Sequence, residues 1–259
     1  MKVIFNFQPM TSMFSKKWFL TTLLVLAAGG VMIRLGFWQL DRLETRRVFN
    51  ANALAQQTAG ELDLNHADPG LDLEMMAYRP VRATGIFVFS EEIALRNQVF
   101  EGRPAYRLIT PLQLIGLETI ILVDRGAVPA DRYTPGDRET YARPSGEVTV
   151  AGILRSSQTE PDIGTRSDLP APPGEELLVW NLVNIAQIAG QVSGPLLPIY
   201  IQQAPDLEGG GFPAPSTFIP ELTEGPHLGY AIQWFLFAGI LWLGYPFYYF
   251  KEMRGALLK

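Results

Sequence analysis

The sequence predicts an α+β membrane protein in which two transmembrane helices flank one strand-rich extracytoplasmic domain. Three observations predict it. An apolar run lies near each end of the 259-residue chain. The stretch between them is rich in glycine and proline and breaks into short segments of interleaved apolar and polar residues, the pattern of strands and turns. Basic residues sit before the first run and after the second, which by the positive-inside rule places both termini in the cytoplasm and the long intervening stretch outside.

The first apolar run, Trp18 to Ile33, follows Lys16 and Lys17. Extended through Arg34 to Trp38 it reaches the length of a span, with Arg34 snorkelling to the headgroups and Trp38 at the interface. The basic start, short apolar centre and small residues Ala27 to Gly30 equally describe a cleaved signal peptide. The second run, Leu228 to Phe250, carries Gln233 as its one strongly polar side chain and ends in tyrosines followed by Lys251, Arg254 and Lys259. Its length and its aromatic, basic end describe a span better than a buried soluble helix. The expected layout is a cytoplasmic N-terminus over 1–16, a transmembrane helix over 17–38, a periplasmic β-rich domain with a leading helix over 39–226, a second transmembrane helix over 227–250 and a cytoplasmic C-terminus over 251–259. The start of the chain is not the long Arg- and Ser-rich pattern of a transit peptide, so the bilayer expected is a bacterial inner membrane. This layout brings the outer end of the first helix, near Trp38, and the beginning of the second, near His227, to one depth.

After Trp38 the chain turns polar yet keeps apolar residues at Leu40, Leu43, Val48 and Leu54 without glycine or proline, so Gln39 to Gln57 reads as a helical continuation. The stretch 60–70, with Asn65, Asp68 and Pro69, reads as a loop. Strands are expected over Tyr78–Phe89, Glu92–Gln98, Tyr106–Leu114, Thr119–Ala127 and Glu147–Leu154, with shorter ones over Leu177–Asn181 and Pro198–Gln202. The continuous apolar run Ile120–Val123 suits a strand buried on both faces. Val183 to Gly190 reads as a short helix closed by Gly190. The stretches 156–174 and 204–226 read as irregular. No heptad or longer repeat stands out. The domain is expected to be a sandwich or a partial barrel.

Composition removes several chemistries. The chain has no cysteine, so disulfides, thiolate metal sites and cysteine nucleophiles are excluded. A net charge of −5 gives no electrostatic reason for a nucleic-acid partner. The usual hydrolase, nucleotide-binding, zinc-protease and EF-hand signatures are absent. The chain therefore reads as a non-enzyme, and a tethered hydrolase is the weakest alternative. A copper chaperone would lack soft ligands. The carboxylate pairs Glu91–Glu92 and Glu175–Glu176, and the arginines Arg103, Arg107, Arg125 and Arg132, read as solvated surface. His66, among Asp63, Asn65 and Asp68, reads as exposed turn chemistry rather than a metal site.

The only other histidine is His227. It follows Pro226 in the first turn of the second apolar helix, with Tyr230 and Trp234 at i+3 and i+7 on the same face. An ionisable residue at the head of a span is a functional candidate. A neutral imidazole makes a good axial ligand for haem iron, and aromatic neighbours pack on a porphyrin. An interfacial histidine that only caps and anchors the helix is the other reading.

Several segments together resemble one family. Leu35-Gly36-Phe37-Trp38-Gln39-Leu40-Asp41-Arg42 is similar to the Gly-x-Trp-Gln-x-x-Arg signature at the end of the first helix in the Surfeit locus protein 1 family. Tyr78-Arg79-Pro80-Val81 with Thr84-Gly85, and Leu122-Val123-Asp124-Arg125-Gly126 with Val128-Pro129, resemble its central strand motifs. Gly209-Gly210 with Pro213 and Pro215 resembles its proline-rich approach to the second helix, and His227-Leu228-Gly229-Tyr230-Ala231 with Trp234-Phe235 resembles its closing signature. The chain departs from the family pattern at Ala127, Asp124, Arg46 and Gly225-Pro226. The resemblance implies an assembly factor for cytochrome c oxidase that binds haem a and aids its placement in subunit I, working near haem A synthase. It implies His227 as the axial ligand of the haem iron, Tyr230 and Trp234 shaping the pocket, and Trp38 and Gln39 completing it from the other helix. A membrane-tethered scaffold for oxidase subunits that binds no cofactor is the alternative.

Overall fold

A computed structural model describes residues 11–142, 146–160, 168, 175–205, 211–215 and 221–257. The expectations for Gly209-Gly210, for most of 156–174, for 1–10 and for Lys259 fall outside these residues. The chain divides into two compact units, one formed by 1–51 with 222–259 and the other by 52–221.

The first unit is a pair of helices. Helix α1 runs Phe19–Thr58, so the apolar run and its polar continuation form one uninterrupted helix whose last turns, from Asn52, belong to the second unit. The described C-terminal helix, labelled α3 in chain order, runs His227–Leu257 with Pro246 inside it. Both are long and apolar enough to cross a membrane. Most of the large apolar side chains they carry are exposed, among them Leu20, Leu24, Leu236, Ile240, Leu243 and Phe247. A soluble protein would bury such a surface.

The two helices meet along a seam spaced by threes and fours. On α1 it includes Thr22, Val25, Gly29, Gly36 and Gln39; on α3 it includes His227, Phe235, Trp242, Tyr245 and Tyr249. Near one end the Trp18 ring meets Tyr249 edge to face at 5.3 Å. Thr22 donates to the Met13 carbonyl (2.8 Å) and accepts from the Tyr245 hydroxyl at 2.7 Å. The Trp242 indole N–H points to the Val25 carbonyl at 3.3 Å. Gly29 and Gly36 admit the aromatic rings: a Cβ at Gly36 would lie 2.6 Å from Phe235, and one at Gly29 would fall inside the Trp242 indole. Small residues at a helix contact are the membrane solution to close packing. This heptad-like seam is hidden in the sequence because the flanking residues are apolar as well.

The second unit is an eight-stranded sheet that closes on itself. Its strands are β1 Leu62–Asp63, β2 Pro80–Phe87, β3 Ile93–Phe100, β4 Arg103–Leu114, β5 Ile120–Pro129, β6 Glu147–Ser156, β7 Val179–Trp180 and β8 Leu196–Gln203. The order is β1-β2-β6-β8-β5-β4-β3-β7, and β2 also pairs with β4. That last pairing joins β2, β6, β8, β5 and β4 into a five-stranded ring, so a barrel, not a sandwich, is the outcome. Strands β5 and β8 run parallel; the other ring pairs are antiparallel. β1 is the one strand the sequence placed in a loop. It is two residues long and pairs in parallel with β2, too short for any periodic signal.

Strand β5 is buried along its whole length. Ile121 and Val123 join Val81, Ala83, Leu112, Leu114, Val150, Leu154, Ile199 and Ile201 inside the ring. Leu122, alternating with them, faces a second cluster with Ile93, Ile109, Trp180, Val183, Ile185 and Ile188. Part of that cover is the short helix α2 Ile185–Ile188, N-capped by Asn184, whose side chain accepts from the Gln187 N–H. Gly190 does not close it; the chain tightens into a 3-10 turn over Ala189–Gln191 that contains Gly190.

A ring this small forces strands close together, and two glycines allow it. A Cβ on Gly85 of β2 would run into the Gln113 carbonyl of β4, and one on Gly152 of β6 into the Gln202 carbonyl of β8. Glycine at such a corner lets backbone approach backbone. Gly85→Val is expected to destabilise the chain by about 3 kcal/mol or more through overpacking. Gly60→Val, where the added atoms meet open space, serves as the control. Denaturant unfolding of the full chain in detergent checks the pair, and equal midpoints for both variants would refute the closure argument.

Candidate functional site

The residues singled out around His227 all lie in the first unit, and two of them touch. His227 Nδ1 lies 2.9 Å from Gln39 Oε1, across 188 residues of sequence. A carbonyl oxygen only accepts, so Nδ1 is the donor in this contact, and in the neutral ring Nε2 then keeps its lone pair. This is the tautomer in which a histidine ligates a metal through Nε2 while its other nitrogen is held by a neighbour. The Nε2 edge faces Gly225, whose φ is +67°. A Cβ there would stand 3.6 Å from Nε2 and 3.4 Å from Cδ2. Glycine permits the left-handed turn at this position.

The local fold explains the placement. Pro226 presets the chain for the first helical turn, and its carbonyl accepts the Tyr230 N–H at 3.1 Å. Tyr230, 49 % exposed, presents its ring outward one turn beyond the histidine. Trp234 is half-buried and packs edge to face on Phe237 at 6.2 Å. Trp38 is exposed and carries the Arg42 guanidinium over its ring at 5.8 Å. Of the five predicted residues, Gln39 and His227 are in direct contact. Trp38, next to Gln39 on α1, points about 100° away from it around the helix axis.

Above Gln39 a further set of contacts binds α1 to the segment before His227. The Thr223 carbonyl accepts from Arg46 Nε and Asn50 Nδ2, each at 3.1 Å. Arg47 grips the Glu224 carboxylate with both arms of its fork, at 2.8 and 3.0 Å. The guanidinium holds the Glu224 carboxyl below the usual carboxylate range, and Arg47 is raised in turn. The sequence did not reveal these partners, because each is a scattered polar residue until the two helices pair.

The second unit corrects the surface reading of three charged side chains. Glu92 and Arg125 are buried, at 3 % and 5 % exposure. Arg125 Nη1 donates to Glu92 Oε2 at 2.8 Å, Thr110 Oγ1 donates to the same oxygen, and Arg125 also reaches the Tyr141 carbonyl. The Arg125 guanidinium lies over the rings of Phe87 and Phe89 at 5.5 and 4.9 Å. Arg107, also expected on the surface, is mostly buried and pairs with Asp124 at 2.7 Å. Burial pushes the Glu92 and Asp124 carboxyls up and the Arg125 guanidinium down. For Arg125 the structural cause is a β-bulge. Leu108 pairs with Gly126 and Ile109 with Asp124, leaving Arg125 as the extra residue and breaking the alternation of β5. Glu175 and Glu176 and the arginines Arg103 and Arg132 are exposed as expected, as is His66, which pairs with Asp63 at 3.1 Å. No group of histidines and acids suited to a metal ion occurs among the described residues.

This buried network has the character of scaffold. Glu92→Ala strands the Arg125 charge in the interior and is expected to cost about 3–5 kcal/mol. Joint replacement of Glu92 and Arg125 by methionine should recover much of that loss, as measured by denaturant midpoints.

Comparison with known proteins adds an independent line. The model of the SURF1 family matches residues 26–239. A SURF1-like protein of Rickettsia felis is 29 % identical over 220 residues, covering 83 % of this chain and 90 % of that protein. One from Rickettsia bellii is 30 % identical over 234 residues, covering 88 % and 90 %. Surfeit locus protein 1 of Mus musculus is 31 % identical over 156 residues, covering 55 % and 48 %.

Proposed function

The chain belongs to the SURF1 family, and from that premise we propose that it is an assembly factor for cytochrome c oxidase that holds haem a at His227 and aids its insertion into subunit I, in the company of haem A synthase. The observation that carries the reading is the His227–Gln39 contact. It engages one nitrogen of the imidazole and, in the neutral ring, leaves Nε2 as the available ligand atom where two apolar helices converge.

The donor set fits the group. Bound haem a would supply an iron for an imidazole to ligate and a flat apolar face for aromatic rings to pack on. His227 would supply Nε2. Gln39 keeps the Nδ1 proton in place and with it the ring orientation. Tyr230 and Trp38 offer exposed rings, and Trp234 is braced by Phe237. The chain itself performs no bond chemistry in this role, so it acts as a carrier rather than an enzyme.

We place the helices across a bacterial inner membrane with both termini cytoplasmic and the barrel unit periplasmic. The exposed Lys16, Lys17 and Lys251 beyond the apolar stretches support this orientation. Reporter fusions after residues 60 and 200 should be active only if periplasmic, and cytoplasmic activity would overturn the placement.

The chain purified in detergent from cells that make haem a is expected to show a Soret band. His227→Ala should lose it, and Gln39→Leu should weaken haem affinity roughly 10–100-fold, the usual effect of removing the partner of a ligating histidine. A colourless wild-type chain that still co-purifies with subunit I would replace the haem reading with the cofactor-free scaffold.

A further inference from the structure

We propose that Arg46, Arg47 and Asn50 are positioning residues that aim His227, acting through the Thr223–Glu224 peptide they grip. The proposal deepens the haem reading and rests on His227 as the ligand, but the grip itself is read from geometry alone.

Arg46 and Asn50 are four residues apart on α1 and share the face that carries Gln39. Both donate to the Thr223 carbonyl, so the orientation of that peptide plane is held from two directions. The bidentate Arg47–Glu224 pair adds a second hold on the next residue. Only Gly225 and Pro226 then separate the gripped residues from the imidazole. Gly225 takes a turn with φ of +67°, and the proline ring restricts φ at the next position. Little freedom remains between the clasp and His227. Gln39, on the same face of α1, holds the other side of that short path.

The contacts are ill suited to a purely stabilising role. The Arg47 and Glu224 side chains are 47 % and 51 % exposed, and ion pairs in such a setting add little to stability. Their value is directional: a planar fork and a carbonyl that accepts twice specify orientation. Loss of the clasp should therefore disturb the ring more than the fold.

The chain has only two histidines, so the full protein carrying His66→Gln and labelled with ¹⁵N-histidine gives one imidazole, that of His227. In detergent at mildly alkaline pH the wild-type ring is expected to show a protonated Nδ1 and a bare Nε2. In Arg46→Ala/Asn50→Ala, and more weakly in Arg47→Ala, the two nitrogens should move toward an averaged position, with the thermal midpoint unchanged. Affinity for added ferric haem should fall by about tenfold or more, within the range for lost support of a ligating histidine. The charge swap Arg47→Glu/Glu224→Arg should restore the Arg47→Ala loss. A tautomer unmoved in both the double variant and Arg47→Ala would overturn the proposal. If the double variant unfolds, Arg47→Ala and the swap decide: a loss that the swap restores supports the clasp, and any other result overturns it. A shifted tautomer in a chain whose wild type takes up no ferric haem would uphold the clasp and sink the haem reading.

Discussion

The pairing of α1 with α3 is the constraint on which the candidate site depends. Gln39 and His227 stand 188 residues apart and are brought within hydrogen-bond distance only because the two helices run antiparallel along one seam. The seam combines two modes of contact. Toward the chain ends it is aromatic and tight, with Gly29 and Gly36 making room for Trp242 and Phe235. Toward the His227 end it becomes polar, with Gln39, Arg46, Arg47 and Asn50 reaching the start of α3 and the segment before it. That change follows the environment proposed for each part. Where water is scarce, small residues and dispersion hold helices together. Where water returns, directional hydrogen bonds set orientation.

The barrel unit is built on a different rule. Five strands close into a ring, and closure requires two pairs of strands to approach nearer than any side chain allows, at Gly85 and Gly152. Once closed, the ring has an interior and an outer face, and β5 supplies both, with Ile121 and Val123 inward and Leu122 outward. The bulge at Arg125 is where this alternation yields to electrostatics. It brings a guanidinium to Glu92 and Thr110, so the two buried charges pair through Glu92 Oε2 at the edge of the core. Such a network favours one register over its neighbours, because a one-residue slip would bury the charges unpaired.

Membership of the SURF1 family and the His227 geometry bear on function at different levels. The family assigns the chain to a lineage, while the proposed role rests on the residues around His227: a ring with one nitrogen held by Gln39, beside a glycine. The departures from the family pattern fall in instructive places. Gly225-Pro226 forms the turn that faces the imidazole edge. Arg46 takes part in the clasp. Asp124, at the bulge, accepts from Arg107 and from the Gly126 N–H. Ala127 pairs with Ala214 of the proline-rich segment.

Sequence alone determined the two long apolar helices, the helical continuation to Gln57, one residue short of its end, seven of the eight strands to within a few residues, and the double-sided burial of β5. It also singled out His227, whereas Gln39 is implied only by the family resemblance. These are local properties, carried by apolar run length, period-two alternation, turn residues and residue scarcity, and they survive without knowledge of any partner. Tertiary structure alone decided that the sheet closes, that β1 exists, that Glu92 and Arg125 lie inside, and that Arg46, Arg47 and Asn50 meet Thr223 and Glu224. Each of these depends on which distant segment becomes a neighbour. An exposed-looking charge declares its burial only when a bulge turns it inward toward an opposite charge, and a polar residue on a helix acquires a role only when another helix places a carbonyl or carboxylate within reach.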